Sequence, residues 1–247
     1  MELRVEGLAI SRGGLPLAED VTFSLAAGDA LVVTGENGSG KSTLLRSLMG
    51  LSPADAGRVR LLVGHEEADL ARHAHLLGHG NAMKADLTVR ENLRFWSRLL
   101  ASGATPDDPG AAPDAAGAAP DAAGAMPDGA GARLGELSAR HGEADELIAE
   151  AAGPLGLERL LDLPFAYLSA GQGRRVALAR LWVAPRPVWL LDEPTAALDA
   201  ASSAAVSEMI EAHRAEGGMV VAATHVDLGI AGAASLRLGG VARGEDR

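Results

Sequence analysis

Apolar positions along this chain keep two different rhythms. Ala30-Leu31-Val32-Val33-Thr34, Val188-Trp189-Leu190-Leu191 and Met219-Val220-Val221-Ala222-Ala223 are short, nearly unbroken apolar runs. Such runs suit strands covered on both faces. Leu3-Arg4-Val5 and Val21-Thr22-Phe23-Ser24-Leu25 alternate instead, as half-buried strands do. Between them the period lengthens. Ser42–Met49 has helical spacing, with Gly50 placed as its stop. Thr88-Val89-Arg90-Glu91 has the form of a capping box and opens a second helix through Leu93, Phe95, Trp96 and Leu99-Leu100. A third helix is predicted over Glu143–Ala152, ended by Gly153-Pro154. The alternation predicts an α/β fold, whose ligands gather at the carboxyl ends of parallel strands.

One stretch keeps neither rhythm. Ala112–Ala118 and Ala119–Ala125 are identical copies of Ala-Pro-Asp-Ala-Ala-Gly-Ala, and Met126–Ala132 is a decayed third. Proline at every seventh position prevents a continuous helix, and no large apolar side chain drives packing. Residues 103–133 therefore read as a disordered insertion in a helical subdomain over 85–167.

The polar residues at strand ends carry the chemistry. Behind the first apolar run comes Gly35-Glu36-Asn37-Gly38-Ser39-Gly40-Lys41-Ser42-Thr43. This is the phosphate-loop pattern in its required setting, after a strand and opening a helix. Its glycines let backbone N–H groups turn toward phosphate oxygens. Lys41 supplies charge for the β- and γ-phosphates, and Ser42 a hydroxyl for Mg²⁺. Asp192-Glu193 ends the second run. A carboxylate there can hold Mg²⁺, and its neighbour can orient and deprotonate water, so the pair reads as a Walker B motif with Glu193 catalytic. Thr224-His225 ends the third run.

Leu168-Ser169-Ala170-Gly171-Gln172-Gly173-Arg174-Arg175-Val176-Ala177-Leu178-Ala179-Arg180-Leu181-Trp182 narrows the class. Ser169 and Gly171 read as a tight polar turn before a helix whose N-terminus faces an anion. The tract resembles the signature of ATP-binding-cassette (ABC) ATPases. That resemblance implies that Ser169, Ala170, Gly171 and Gln172 act on the ATP of a second copy. His225 then corresponds to the switch histidine, and Thr195-Ala196-Ala197-Leu198-Asp199 resembles the D-loop. The chain reads as one ABC ATPase domain over 1–247, with an N-terminal antiparallel β part and the helical subdomain inserted. The signature tract and Leu77–Leu93 together resemble the CcmA family, the ATPase subunit of the bacterial cytochrome c maturation complex. The resemblance implies a homodimer with ATP and Mg²⁺, membrane subunits CcmB, CcmC and CcmD, and the haem chaperone CcmE. It places the chain on the cytoplasmic face of the inner membrane. Another small-molecule ABC exporter is the alternative, and a soluble ABC protein of ribosomes or DNA stands behind it.

Two positions depart from the ABC pattern. The glutamine expected toward Mg²⁺ and the membrane subunits falls on Gly80, with His79 or Asn81 as substitutes. The adenine-stacking aromatic falls in Ile10-Ser11-Arg12-Gly13-Gly14, which leaves two readings: Arg12 stacks its guanidinium instead, or the adenine contact is weak. His73, His75 and His79 invite a haem or metal reading, and His73 and His75, two apart, would share a strand face, but an ordinary core strand explains the stretch better. Packing is also the reading for Trp96, Trp182 and Trp189.

Composition changes the picture only slightly. With 22 Lys+Arg against 33 Asp+Glu the net charge is −11, which disfavours nonspecific nucleic-acid binding. No cysteine is present, removing disulfides and thiolate chemistry. No apolar run approaches the roughly 20 residues of a membrane span, and Met1-Glu2-Leu3-Arg4 lacks the layout of a secretory signal. A soluble cytoplasmic chain is expected.

Overall fold

The computed structural model describes residues 1–101 and 144–239. The low-complexity segment 103–133 lies outside them. The chain forms two compact units: Met1–His79 with Pro187–Pro194 and Ser207–Arg247, and Gly80–Arg186 with Thr195–Val206.

The first unit holds two sheets. β1 (Glu2–Arg12) and β2 (Leu15–Ala26) form a long hairpin, which β4 (Ala56–Val63) and β5 (Glu66–Ala68) extend into an antiparallel sheet of order β2-β1-β4-β5. The hairpin turns at Gly13-Gly14, both with positive φ (59° and 79°), the backbone that a two-residue loop demands. β1 buries Leu3, Val5, Leu8 and Ile10 on one face. The step of three between Val5 and Leu8 comes from a register shift at Gly7, whose φ is 57°. This bulge changes the phase of the alternation, so the hairpin outruns the two short strands expected from the pattern.

The second sheet contains the three apolar runs. β3 (Ala30–Thr34), β6 (Ala74–Leu77), β7 (Val188–Asp192), β8 (Met219–Ala223) and β9 (Ala234–Arg237) lie in the order β6-β7-β8-β3-β9, all parallel. Every residue of β7 and β8 is buried, as continuous hydrophobicity requires. α1 (Lys41–Leu48) packs Leu44, Leu45 and Leu48 into a core shared with Leu31, Val33, Leu190 and Val221. Gly50, with φ 73°, follows that helix as predicted. α2 (Leu70–His73) is a single turn. It corrects one expectation: His73 ends α2 while His75 lies buried in β6, so the two do not share a strand face.

The second unit is helical, built on α3 (Val89–Ala101), α4 (Ala144–Leu155) and α5 (Ala170–Val183). Glu91 accepts from both the Thr88 N–H and hydroxyl at 2.8 Å, closing the expected capping box. α4 runs past Gly153-Pro154 instead of stopping there. Pro154 lies in the last turn, and the helix ends at Leu155, just before Gly156, whose φ is 59°. The Arg175 guanidinium donates to the Leu155 carbonyl at 2.8 Å and so caps α4 from α5. Arg180 is buried over the Trp96 ring, 4.5 Å from its centroid, and burial lowers its pKa to about 10. α6 (Ala200–Ala215) begins in this unit and ends in the first.

Candidate nucleotide-binding site

β7, β8 and β3 are neighbouring parallel strands, so the segments leaving their carboxyl ends share one edge of the sheet. After β3 comes the phosphate loop, at the end of β7 the pair Asp192-Glu193, and after β8 Thr224-His225. Strand order thus gathers three segments that are far apart in sequence.

The loop has a cradle's backbone. Gly35, Gly38 and Gly40 have φ of 148°, 83° and 100°. A Cβ on Gly35 would overlap the Leu238 carbonyl and come within 2.6 Å of Ser39 Oγ. The Ser39 hydroxyl is buried and has no hydrogen-bond partner among the described residues. Lys41 Nζ folds back over its own loop, donating to the carbonyls of Gly35 (2.8 Å) and Glu36 (3.1 Å). Ser42 is exposed at the start of α1.

Asp192 is the last residue of β7 and 6% exposed. Glu193 takes a left-handed backbone, φ 47°, which costs a non-glycine residue on the order of 1–3 kcal/mol. Its N–H donates to the Ala223 carbonyl at 2.8 Å, tying this turn to the end of β8. Its carboxylate is held from both sides. His225 Nδ1, in the tautomer carrying its proton there, donates to Oε1 at 2.9 Å. Thr224, fully buried, donates its hydroxyl to Oε2 at 3.3 Å. Thr224 was not singled out from sequence, although its place beside His225 at a strand end was the available signal.

In the second unit the signature tract differs from the expected turn-then-helix. α5 already begins at Ala170, so Ala170–Gly173 form its first turn. Ser169 Oγ accepts from the Gln172 N–H (3.3 Å), and Gln172 Oε1 accepts from the Ser169 N–H (2.8 Å). Both side chains are occupied in capping their own helix. The N–H groups of Ala170 and Gly171 are then the ones that a helix start leaves for an outside acceptor. A Cβ on Gly171 would sit 2.6 Å from the carbonyl oxygen of Ala197, itself at φ 62°. Asp199 accepts from the Ser202 N–H at 2.7 Å as N-cap of α6, which lowers its pKa.

Gly80 lies in an exposed bend with nothing near its Cβ position, and His79 is exposed. Asn81 turns its amide toward α5, where a Cβ on Gly173 would meet Nδ2 at 3.0 Å. Arg12 is exposed at the hairpin tip, paired in register with Leu15.

Comparison with known proteins decides the family. The ABC transporter family model matches residues 18–196. The cytochrome c biogenesis ATP-binding export protein CcmA of Rhizobium meliloti is 47% identical over 97% of this chain and 99% of its own. The chain belongs to the CcmA family of ABC ATPases. A CcmA of Brucella melitensis is 41% identical over 100% of this chain and 95% of its own. Among solved structures, an ATP-binding subunit of an ABC transporter superposes with a TM-score of 0.71 at 19% identity, covering 96% of this chain and 86% of that one. An ABC transporter ATP-binding protein from Pyrococcus furiosus gives 0.69 at 19% identity, covering 96% and 98%. These CcmA and ABC matches establish the fold, with its antiparallel and parallel sheets, and ATP as the nucleotide of this ATPase. Among the described residues no helix is long and apolar enough to cross a membrane.

Proposed function

We propose that this CcmA-family chain hydrolyses Mg-ATP as a head-to-tail homodimer in a membrane complex for cytochrome c biogenesis, and that hydrolysis drives release of a haem-loaded chaperone. The observation that carries the chemistry is the Glu193 carboxylate, held by Thr224 and His225 at the sheet edge that bears the phosphate loop. Phosphate oxygens lie against the backbone of Gly35–Thr43, with Lys41 leaving its two carbonyls to meet the β- and γ-phosphates. Ser42 and Asp192 offer the hard oxygen donors that suit Mg²⁺, which when bound neutralises charge on the β- and γ-oxygens. Glu193 takes the proton of a water whose oxygen adds to the γ-phosphorus as the bond to ADP breaks. His225 reaches the γ-phosphate. Ser169, Ala170, Gly171 and Gln172 of the other copy close over it through the α5 N-terminus, with the Asp199 segment along the same interface. Arg12 lies against the base.

The 1–247 chain acts as a single cassette with a helical subdomain at 85–167. It is recruited to the cytoplasmic face of the inner membrane by integral subunits of the CcmB, CcmC and CcmD type, and it acts on the CcmE chaperone. Glu193→Gln is the direct test. The variant binds ATP, dimerises and nearly stops releasing phosphate; wild-type turnover would remove Glu193 from the role. Purification from membranes tests the setting, since a ribosomal or DNA partner in place of an integral subunit would sink it.

A further inference from the structure

We propose that the cleft between the carboxyl end of α1 and the β4–β5 end of the antiparallel sheet is an effector site. It takes an uncharged, largely apolar small molecule bearing one hydroxyl or carbonyl oxygen, and its occupancy opposes nucleotide binding through α1. The link to nucleotide rests on the phosphate-loop reading above.

The cleft lies wholly within the first unit and has a volume of about 470 Å³, a size common among small-molecule sites. Sheet and helix each supply an apolar wall. Val59, Leu61 and Ala68 come from β4 and β5, where Leu61 pairs with Ala68 across the strands. Leu48 and Met49 come from the end of α1. Beyond them Gly50 turns the chain with φ 73° and has nothing within 4 Å of its Cβ position, so this turn does not close over the cleft.

One polar side chain is buried in this lining. Ser47 is 6% exposed, and its hydroxyl has no hydrogen-bond partner among the described residues. A serine inside a helix commonly returns its hydroxyl to the carbonyl one turn earlier. Ser47 does not, and a buried hydroxyl left unmet is costly. An oxygen on a bound molecule would answer it.

The fixed charges select against ions. Arg58, Glu67 and Asp69 line the cleft. Asp69 is engaged locally: it accepts from the Ala71 N–H at 2.9 Å and pairs with Arg72 at 3.5 Å. That leaves Arg58 against Glu67, one charge of each sign. An ion entering here gives up hydration without a net counter-charge to receive it, and a neutral molecule gives up little.

α1 joins this cleft to the phosphate loop. It spans Lys41–Leu48, about 12 Å at the rise of a helix, with Lys41 at the loop and Leu48 in the cleft wall. Lys41 Nζ lies on the carbonyls of Gly35 and Glu36, which it must leave to meet phosphate. A molecule filling the cleft takes the space into which the far end of α1 could yield, and so holds Lys41 folded back. Two ligands that favour different placements of one helix bind antagonistically.

The probe is 2-naphthol, fluorescent and uncharged at neutral pH, titrated against the full-length chain. Its dissociation constant is expected on the order of 100 μM. The ammonium 2-naphthylmethylamine and the carboxylate 2-naphthoate are expected to bind at least about tenfold more weakly. Ser47→Ala is expected to weaken 2-naphthol roughly fivefold. Ala68→Phe, and Ala54→Trp at an exposed position on the rim, are expected to abolish its binding. A non-hydrolysable ATP analogue is expected to weaken the probe about threefold or more, and the probe to weaken the analogue by the same factor. Absence of saturable binding overturns the proposal. So does binding that is unchanged in Ser47→Ala and Ala54→Trp, or tighter binding of either ion. Probe and analogue that both bind yet ignore each other overturn the effector role and leave the phosphate-loop reading standing. If Lys41→Ala retains the analogue, the phosphate-loop reading falls and the link through α1 with it.

Discussion

His213 sets an acid limit on the stability of this fold, and the size of the effect follows from its surroundings. Its ring stacks flat on Trp189, with centroids 3.8 Å apart and planes 5° from parallel. Nε2 is sealed from solvent without a hydrogen-bond partner, packed against Gly218, where a Cβ would overlap the ring. Burial lowers the pKa to about 4, and backbone groups of Pro187 and Met219 oppose the shift only in part. An unfolded histidine titrates near 6.5. Between these values the unfolded chain binds a proton that the folded chain refuses, so stability falls as pH drops from about 6.5 toward 4 and is fully present above 6.5. From pH 7 to pH 4.5 the loss from this one residue is about 2 kcal/mol, or roughly 5 °C in melting temperature for a chain of this size. Urea unfolding at the two pH values measures the total loss. His213→Phe keeps a flat ring against Trp189 and cannot titrate, so it should lose less than the wild type by that amount. Equal losses in the two proteins would refute the reasoning, since the remaining carboxylates are common to both.

Thr224→Val removes the hydroxyl on Glu193 Oε2 while keeping the shape of a fully buried side chain. It should lower kcat by roughly tenfold with little change in ATP affinity, and Thr224→Ser should restore the rate. Gly171→Ala would drive a methyl into the Ala197 carbonyl; ATP binding by single chains should survive, while nucleotide-dependent dimers, read by size-exclusion chromatography in the Glu193→Gln background, should be lost. Arg175→Ala leaves the Leu155 carbonyl at the end of α4 without its cap. It should destabilise the protein by about 1–2 kcal/mol in urea unfolding.

Much of this fold was legible because its central strands are hydrophobic on both faces. β3, β7 and β8 each show as an unbroken apolar run, and the polar residues that follow them meet at one sheet edge because the strands are parallel neighbours. The hairpin was harder to read. The bulge at Gly7 shifts the alternation by one residue, and a period-2 pattern broken in the middle looks like a shorter strand. β4 and β5 have exposed and half-buried positions in plenty and give almost no hydrophobic signal. Pro154 misled in the other direction: a proline in a final turn forfeits one backbone bond, and Arg175 caps the carbonyl of the next residue, Leu155. At the candidate site the glycine loop and the acidic pair are local in sequence and readable. The grip of Thr224 on Glu193 spans 31 positions and depends on adjacent strands ending level, which no local pattern encodes.

The capping box at Ser169 also bears on how freely this tract can drift. With both polar side chains turned to their own backbone, the contact proposed above with a second copy's phosphate falls to amide protons, which every residue except proline supplies. Position 170 is exposed at the first helical residue, where alanine fits without strain, so trading glycine for alanine there leaves the amide lattice intact. One residue on, the Ala197 carbonyl occupies the space a methyl would need, and no such trade is open. Two neighbouring letters of one motif therefore sit under opposite mutational regimes, one neutral and one closed.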